Sequence, residues 1–320
     1  MWYFYACKRF CRRSTHGETM NCNLCPRKCN IDRSVKTGFC GVSDVTVSRV
    51  APHMWEEPPI SGTKGSGTVF FAGCNLRCRF CQNFDITVKP HGVGVSVNRL
   101  ADLFLHLCDT GVANINLVTA AQFADKVAAA LNLCKHRLTI PVVYNTSSYE
   151  TVEAVRALDG LVDVYLPDLK FCDPVLSARM ANAPDYFSVA TAAITEMKRQ
   201  QPTNRFDADG YITNGLIVRH LVLPGHVEDT KRVLDWLAAL DKDVTVSLMS
   251  QYFVARHDDL CTELNRRLYP REYNAACDYF ANVGLHNGFT QDPTSATVDY
   301  LPDFCDGDVT DLLAKVSSVF

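Results

Sequence analysis

Short apolar runs alternate along this chain with stretches whose apolar residues recur every three to four positions. The runs at 69–72, 114–119, 141–145, 162–166, 216–223 and 244–249 read as strands, and the amphipathic stretches at 97–108, 122–133, 149–158, 185–198 and 230–240 read as helices. Repeated strand–helix units predict an α/β fold with parallel strands inside and helices outside. Six of them give a partial (β/α)6, TIM-like barrel rather than a closed eightfold one. Further on, 271–283 reads as a helix, 283–291 as a last strand and 309–317 as a terminal helix. Upstream, 46–50 alternates as a short strand, and a glycine- and serine-rich stretch at 61–67 marks a boundary. The expected division is an N-terminal extension at 1–62, a barrel at 63–300 and a helical tail at 301–320.

Composition narrows the classes. A chain of 320 residues, 47% hydrophobic, can bury one large core and carry an appendage. A net charge of -3 argues against a nucleic-acid partner, and no apolar run is long enough to cross a bilayer. Fifteen cysteines in a chain of this size, without a secretory pattern, point to a reducing compartment and to cysteines used as metal or cluster ligands. Met1 to Tyr5 are aromatic-rich and precede Lys8, Arg9, Arg12 and Arg13, an order opposite to that of a secretory signal. A cytoplasmic location is expected, with an organelle presequence as the weaker alternative.

The cysteines fall into two sets. Cys74, Cys78 and Cys81 form a C-x3-C-x2-C loop directly after the apolar run 68–71. Three thiolates on one loop can hold three corners of a [4Fe-4S] cube and leave the fourth iron open. An open iron can chelate the amino and carboxylate groups of S-adenosylmethionine, whose reductive cleavage gives a 5′-deoxyadenosyl radical. Phe80 offers a flat face for the adenine. A structural zinc site would draw on two paired knuckles, which this loop lacks. Earlier in the chain, Cys22, Cys25, Cys29 and Cys40 are interleaved with Pro26 and Gly38 and look like a closed knuckle for a second metal or cluster. Spacing alone leaves zinc and iron–sulfur both open. Cys7 and Cys11 read as bystanders.

Function in such barrels collects at the carboxyl ends of the strands, where the cysteine loop already lies. The same rule selects Thr119 with Ala120 and Ala121, whose small size lets backbone approach a ligand. It also selects Asn145 and Thr146 with Ser147 and Ser148, Asp168 with Lys170, Arg219, His226 and Gln251. Lys170 could pair with the methionine carboxylate. Glu56 and Glu57, beside Trp55, read as a solvated turn in preference to a substrate-facing feature.

The residues 74–83, Cys-Asn-Leu-Arg-Cys-Arg-Phe-Cys-Gln-Asn, resemble the cluster loop of radical S-adenosylmethionine proteins related to pyruvate formate-lyase activating enzyme. Cys25-Pro26-Arg27, Trp55-Glu56-Glu57-Pro58, the run 114–119, the run 143–147, Tyr165-Leu166-Pro167-Asp168, the run 219–226 and the run 247–252 extend the likeness to an activating-enzyme-like branch over nearly the whole chain. The resemblance implies a cluster on Cys74, Cys78 and Cys81, and S-adenosylmethionine across the strand ends. Asn145-Thr146 and Asp168-x-Lys170 would lie at its methionine end. It also implies an electron donor of flavodoxin or ferredoxin type and a glycyl radical enzyme as partner. Three departures stand out. Asn145 replaces an acid, Val118-Thr119-Ala120 stands where the superfamily often has Gly-Gly-Glu-Pro, and the extra cysteines precede the radical loop instead of following it. The expected activity is hydrogen abstraction by the deoxyadenosyl radical, either to activate a glycyl radical enzyme or to modify a peptide or small molecule. A non-catalytic iron–sulfur or zinc protein, or an electron carrier, is the alternative from another class.

Overall fold

The computed structural model describes residues 21–291, 304 and 309–320. Cys7, Cys11 and the N-terminal aromatic and basic residues lie outside the described residues. The first strand, β1 (Thr46–His53), leads through the one-turn helix α1 (Pro58–Ser61) into β2 (Ser66–Phe71), buried at every position. After the cysteine loop come α2 (Phe84–Thr87), β3 (Val93–Gly94) and α3 (Val97–Cys108). The units that follow are β4 (Ile115–Val118) with α4 (Ala124–Cys134), β5 (Val142–Thr146) with α5 (Val152–Arg156), and β6 (Val164–Pro167) with α6 (Pro174–Ala181) and α7 (Tyr186–Gln200). Then come β7 (Arg205–Phe206), β8 (Ile212–Leu221), α8 (Val227–Leu240), β9 (Thr245–Met249), α9 (Pro270–Asn282), β10 (Gly288–Thr290) and α10 (Val309–Lys315).

The ten strands form one sheet in the order β10-β9-β8-β6-β5-β4-β2-β1-β3, with β7 beside β8. From β2 to β10 the neighbours are parallel. The sheet curls but does not close, which is the expected partial barrel. Strand alternation sorts the side chains into two faces. Ile115, Leu117, Val142, Tyr144, Tyr165, Val218 and Leu248 point outward into the main core beneath the helices. Val143, Val164, Leu166 and Ile217 point inward and pack on Ile60 of α1, which fills the barrel interior. Above this apolar layer the inward positions turn polar, and the site begins there.

Several elements differ from expectation. The strand expected at 46–50 runs on to His53 and pairs antiparallel with β2, so β1 and the Ile60 plug both belong to the barrel. Hydrogen bonding between β1 and β2 and the packing of Ile60 thus run across residues 62 and 63. The helix expected from 149 starts at Val152, where extended Thr151 caps it by accepting from Ala154 N–H at 3.2 Å, and Tyr149 and Glu150 before the cap turn their side chains to other partners. Tyr149 donates to Asp185 at 2.8 Å, and Glu150 accepts from Tyr144 at 2.8 Å. The unexpected α6 is set by Asp173, whose carboxylate caps Val175 and Leu176 N–H at 2.7 and 3.0 Å, with Pro174 at the first turn. In the tail, Arg99 donates to the carbonyls of Leu313 and Val316, and Val319 N–H donates to Asp102 at 2.9 Å, which docks α10 on the body. No helix among the described residues is long and apolar enough to cross a membrane.

Candidate active site

The cysteine loop leaves β2 through Gly73, which holds φ +76°. A Cβ there would sit 2.5 Å from the carbonyl oxygen of Cys40, so the turn excludes any larger residue. Gln122, buried, fixes the same turn by donating to the carbonyls of Ala72 and Gly73, each at 3.0 Å. Asn75 donates to Tyr149 O at 2.7 Å, and Arg79 N–H donates to Met180 O at 2.9 Å. The loop is thus tied to three separate parts of the chain. Arg77, at φ 59°, makes the reversal between Cys74 and Cys78. All three cysteines are free thiols and line one cavity of about 230 Å³. Burial pushes the thiols of Cys78 and Cys81 up. Lys170 pulls Cys78 back, and a contact with the Thr87 hydroxyl at 3.4 Å does the same for Cys81. Phe80 lines the cavity and meets Phe171 edge-on at 5.9 Å.

A charged layer closes the other side of the cavity. Arg219 is its hub. The guanidinium donates to Asp168 at 2.7 Å, to Asn145 Oδ1 at 2.6 Å and to Glu56 at 3.1 Å, and stands 3.9 Å from Glu57. Lys170 donates to the second oxygen of Asp168 at 2.6 Å. Glu56 also accepts from Asn116 at 3.1 Å and from Asn145 at 3.2 Å. Burial works against Arg219 and Lys170, but it is outweighed by Asp168 together with Glu57 and Glu56 for Arg219, and by Asp168 together with Cys78 for Lys170, so both remain cations with raised pKa values. Burial likewise works against Asp168, but Arg219 and Lys170 overcome it and hold the carboxyl below its usual range. For Glu56 and Glu57 burial wins, and their carboxyls are pushed up against the opposing pull of Arg219.

Most expected site residues meet here. Cys74, Cys78, Cys81, Phe80, Thr119, Asn145, Thr146, Asp168, Lys170, Arg219 and Gln251 all line the one cavity. Thr119 does so at φ 61°, a costly conformation for a β-branched residue and one that collects at functional sites. Thr146 lines the cavity, but its hydroxyl donates to Glu150 on the outer face. His226 is not at the cavity. It precedes α8, and its Nε2 faces Glu263 at 3.1 Å. The solvated turn expected at Glu56 and Glu57 is also corrected, since Glu57 is buried, the Glu56 side chain is 10% exposed, and both carboxylates belong to the charged layer. Gln122 and Asn116 were not anticipated. The signal for Gln122 is its position just past a strand end, which the sequence pattern marks only as a helix start.

Cys22, Cys25, Cys29 and Cys40 enclose a small cavity of their own, close enough that each of Cys25 and Cys40 feels the charge of Cys22 and Cys29. Phe39 N–H donates to Cys29 Sγ at 3.4 Å, and Gln122 forms part of the wall with its Oε1 unpartnered. Burial raises Cys25 to about 11. Among the described residues, no three His, Cys, Asp or Glu side chains are gathered tightly enough to chelate a single metal ion. The knuckle sits directly on the radical loop. Arg27 donates to Asn75 O at 2.7 Å, and its guanidinium stacks 4.0 Å from the Phe39 ring.

A partial barrel with a three-cysteine loop at its first parallel strand and a buried charged layer across the strand ends defines a class of cluster-bearing (β/α) enzymes. Residues 68–237 match the Radical SAM superfamily, and the chain belongs to it. It is 29% identical over 273 residues to the uncharacterized protein MJ0674 of Methanocaldococcus jannaschii, covering 83% of this chain and 75% of that one. Among solved structures it is similar to Streptococcus suis SuiB bound to S-adenosylmethionine, at 14% identity and a TM-score of 0.47. That match covers 68% of this chain and 48% of the other, so the chain spans about half the length of SuiB. A domain of pyruvate-formate lyase-activating enzyme from Bacteroides vulgatus matches at 14% identity and a TM-score of 0.37, covering 53% of this chain and 91% of that one.

Proposed function

We propose that this protein cleaves S-adenosylmethionine reductively and uses the resulting radical to take a hydrogen atom from a substrate. One observation carries the reading. Three free cysteines from a single loop share the head of a cavity whose other described residues include no fourth cysteine. The donor set suits a [4Fe-4S] cluster held at three corners on Cys74, Cys78 and Cys81. When bound, such a cluster supplies the electron that splits the sulfonium of S-adenosylmethionine.

The chain's own residues do the rest. Lys170, held by Asp168, presents a fixed cation beside Cys78, suited to receive a carboxylate. Asn145 and Arg219 are locked by mutual bonds, so the polar wall is set before any ligand arrives. Phe80 provides an apolar face for a base. The surrounding burial keeps water away from a reactive intermediate.

Cys22, Cys25, Cys29 and Cys40 are proposed to hold a second iron–sulfur cluster that braces the cysteine loop, in preference to zinc, since no three of the described side chains gather tightly enough to chelate a single ion. The hydrogen donor is proposed to be a glycine of a partner protein, on the strength of the resemblance, with a peptide or small molecule as the alternative. A flavodoxin- or ferredoxin-type protein is the proposed source of electrons. The test is anaerobic reconstitution with dithionite and S-adenosylmethionine. The native chain should release 5′-deoxyadenosine and Cys78→Ala should not. Equal release by both, or none by either, contradicts the proposal.

A further inference from the structure

The unclosed barrel leaves a gap between β10 at one edge of the sheet and β1 and β3 at the other. A chamber of about 460 Å³ lies in that gap, between residues 55–58, which follow β1, and the strands β9 and β10. It shares Trp55, Glu56, Arg219 and Gln251 with the cysteine-headed cavity, so the two spaces adjoin.

One wall of the chamber holds a polar atom with nothing to bind. Glu57 is 7% exposed, and its Oε2 accepts no hydrogen bond. The Arg219 guanidinium, 3.9 Å away, is already committed to Asp168, Asn145 and Glu56. Lys170 is committed to Asp168. Three carboxylates, Glu56, Glu57 and Asp168, therefore face two cations, and the one left without a hydrogen bond from either is Glu57, which lines the chamber beside Glu56. A buried carboxylate oxygen that accepts no hydrogen bond is unfavourable, and a cationic ligand donating to it would remove that cost. The chamber is also lined by Trp55 and Phe289, apolar surface that suits a methylene stem leading to a charged head.

We infer that this chamber is the substrate subsite and that Glu57 receives an ammonium or guanidinium group of the hydrogen donor. The assignment as a substrate subsite rests on the radical reading given above; the cation site itself does not.

The test is anaerobic calorimetry on the reconstituted protein with S-adenosylmethionine present. The probes are n-butylammonium, n-butylguanidinium and the neutral butyramide, together with pentapeptides centred on lysine or arginine. The cations should bind at least tenfold more tightly than butyramide, and Glu57→Gln should remove that preference. Thr290→Trp, on the exposed rim of the chamber, should weaken cation binding at least tenfold without touching the carboxylate. Pentapeptides that bind more tightly than the bare cations identify a peptide source, and pentapeptides that do not identify a free amine; either result follows from the cation site. Equal affinity for cations and butyramide overturns the inference. So does a cation affinity unchanged in both variants, or cation binding abolished by adding S-adenosylmethionine, since the cofactor would then fill the chamber itself. Release of 5′-deoxyadenosine is measured in the same native samples. Release without cation preference overturns the subsite alone, whereas cation preference without release overturns the radical reading alone.

Discussion

The backbone N–H of Cys74 donates to the carbonyl of Cys40 at 3.3 Å, which joins the first cysteine of the radical loop to the last cysteine of the knuckle. The two thiol sets are therefore adjacent, and the geometry of one constrains the other.

Gly73→Ala tests that contact. The added Cβ would meet Cys40 O at 2.5 Å and would be held at φ +76°, so the variant should lose roughly 1–3 kcal/mol of stability. Iron bound per chain should also fall. Thermal unfolding and iron analysis check both, and a stable, fully loaded variant would show that the junction tolerates movement.

Cys25→Ser removes one thiol from the knuckle while leaving the C-x3-C-x2-C loop intact. The expected outcome is loss of one metal centre, with the 5′-deoxyadenosine yield lowered but not abolished. Quantification of iron, sulfide and zinc against the native protein identifies which metal was lost. Unchanged metal content would contradict a bound centre at Cys22, Cys25, Cys29 and Cys40.

Arg219→Met removes the cation that three buried carboxylates share, leaving Glu56 without a charge partner and Asp168 with Lys170 alone. Stripping one partner from a buried ionic network costs about 3–5 kcal/mol. Urea unfolding should show a loss of that order, and Arg219→Lys should recover only part, because one ammonium cannot span Asp168, Asn145 and Glu56 together.

Much of this arrangement was legible in the sequence. The six barrel strands and their helices followed from the period of their apolar residues, and the cysteine loop followed from its spacing. Glu56 was not legible, because its burial depends on Arg219, 163 positions away along the chain, and nothing in Trp55-Glu56-Glu57 shows that partner. His226 misled for the converse reason. It follows a Pro-Gly turn at a strand end, but its ring faces Glu263 in the 3-10 helix Thr262–Asn265. The start of α5 differs because Glu150 has the propensity of a helix residue, whereas the cap that starts the helix is Thr151, one residue later.

Glu57 should also show in the pH dependence of stability. Burial raises its folded-state pKa above the unfolded value. The contribution of such a group is fully present below the unfolded pKa, near 4.5, and is lost as pH rises through the folded pKa. Glu57→Gln should therefore stabilise the ligand-free chain at pH 7 and give no gain near pH 4. Denaturant titrations at the two pH values measure this, and a gain of equal size at both would contradict the assigned direction. Glu272 has the opposite sign. The bond from Arg266 holds it down to about 2, so its stabilisation is present above about pH 4.5 and is lost as pH falls toward 2.

The central claim is an iron corner that no side chain of this protein occupies. The most direct measurement is electron paramagnetic resonance of the dithionite-reduced, reconstituted chain, recorded before and after addition of S-adenosylmethionine. An open corner predicts a [4Fe-4S] signal whose g-values shift on addition, a shift absent from Cys78→Ala. A signal that S-adenosylmethionine leaves unchanged would mean that the fourth corner is closed, and the account would be wrong.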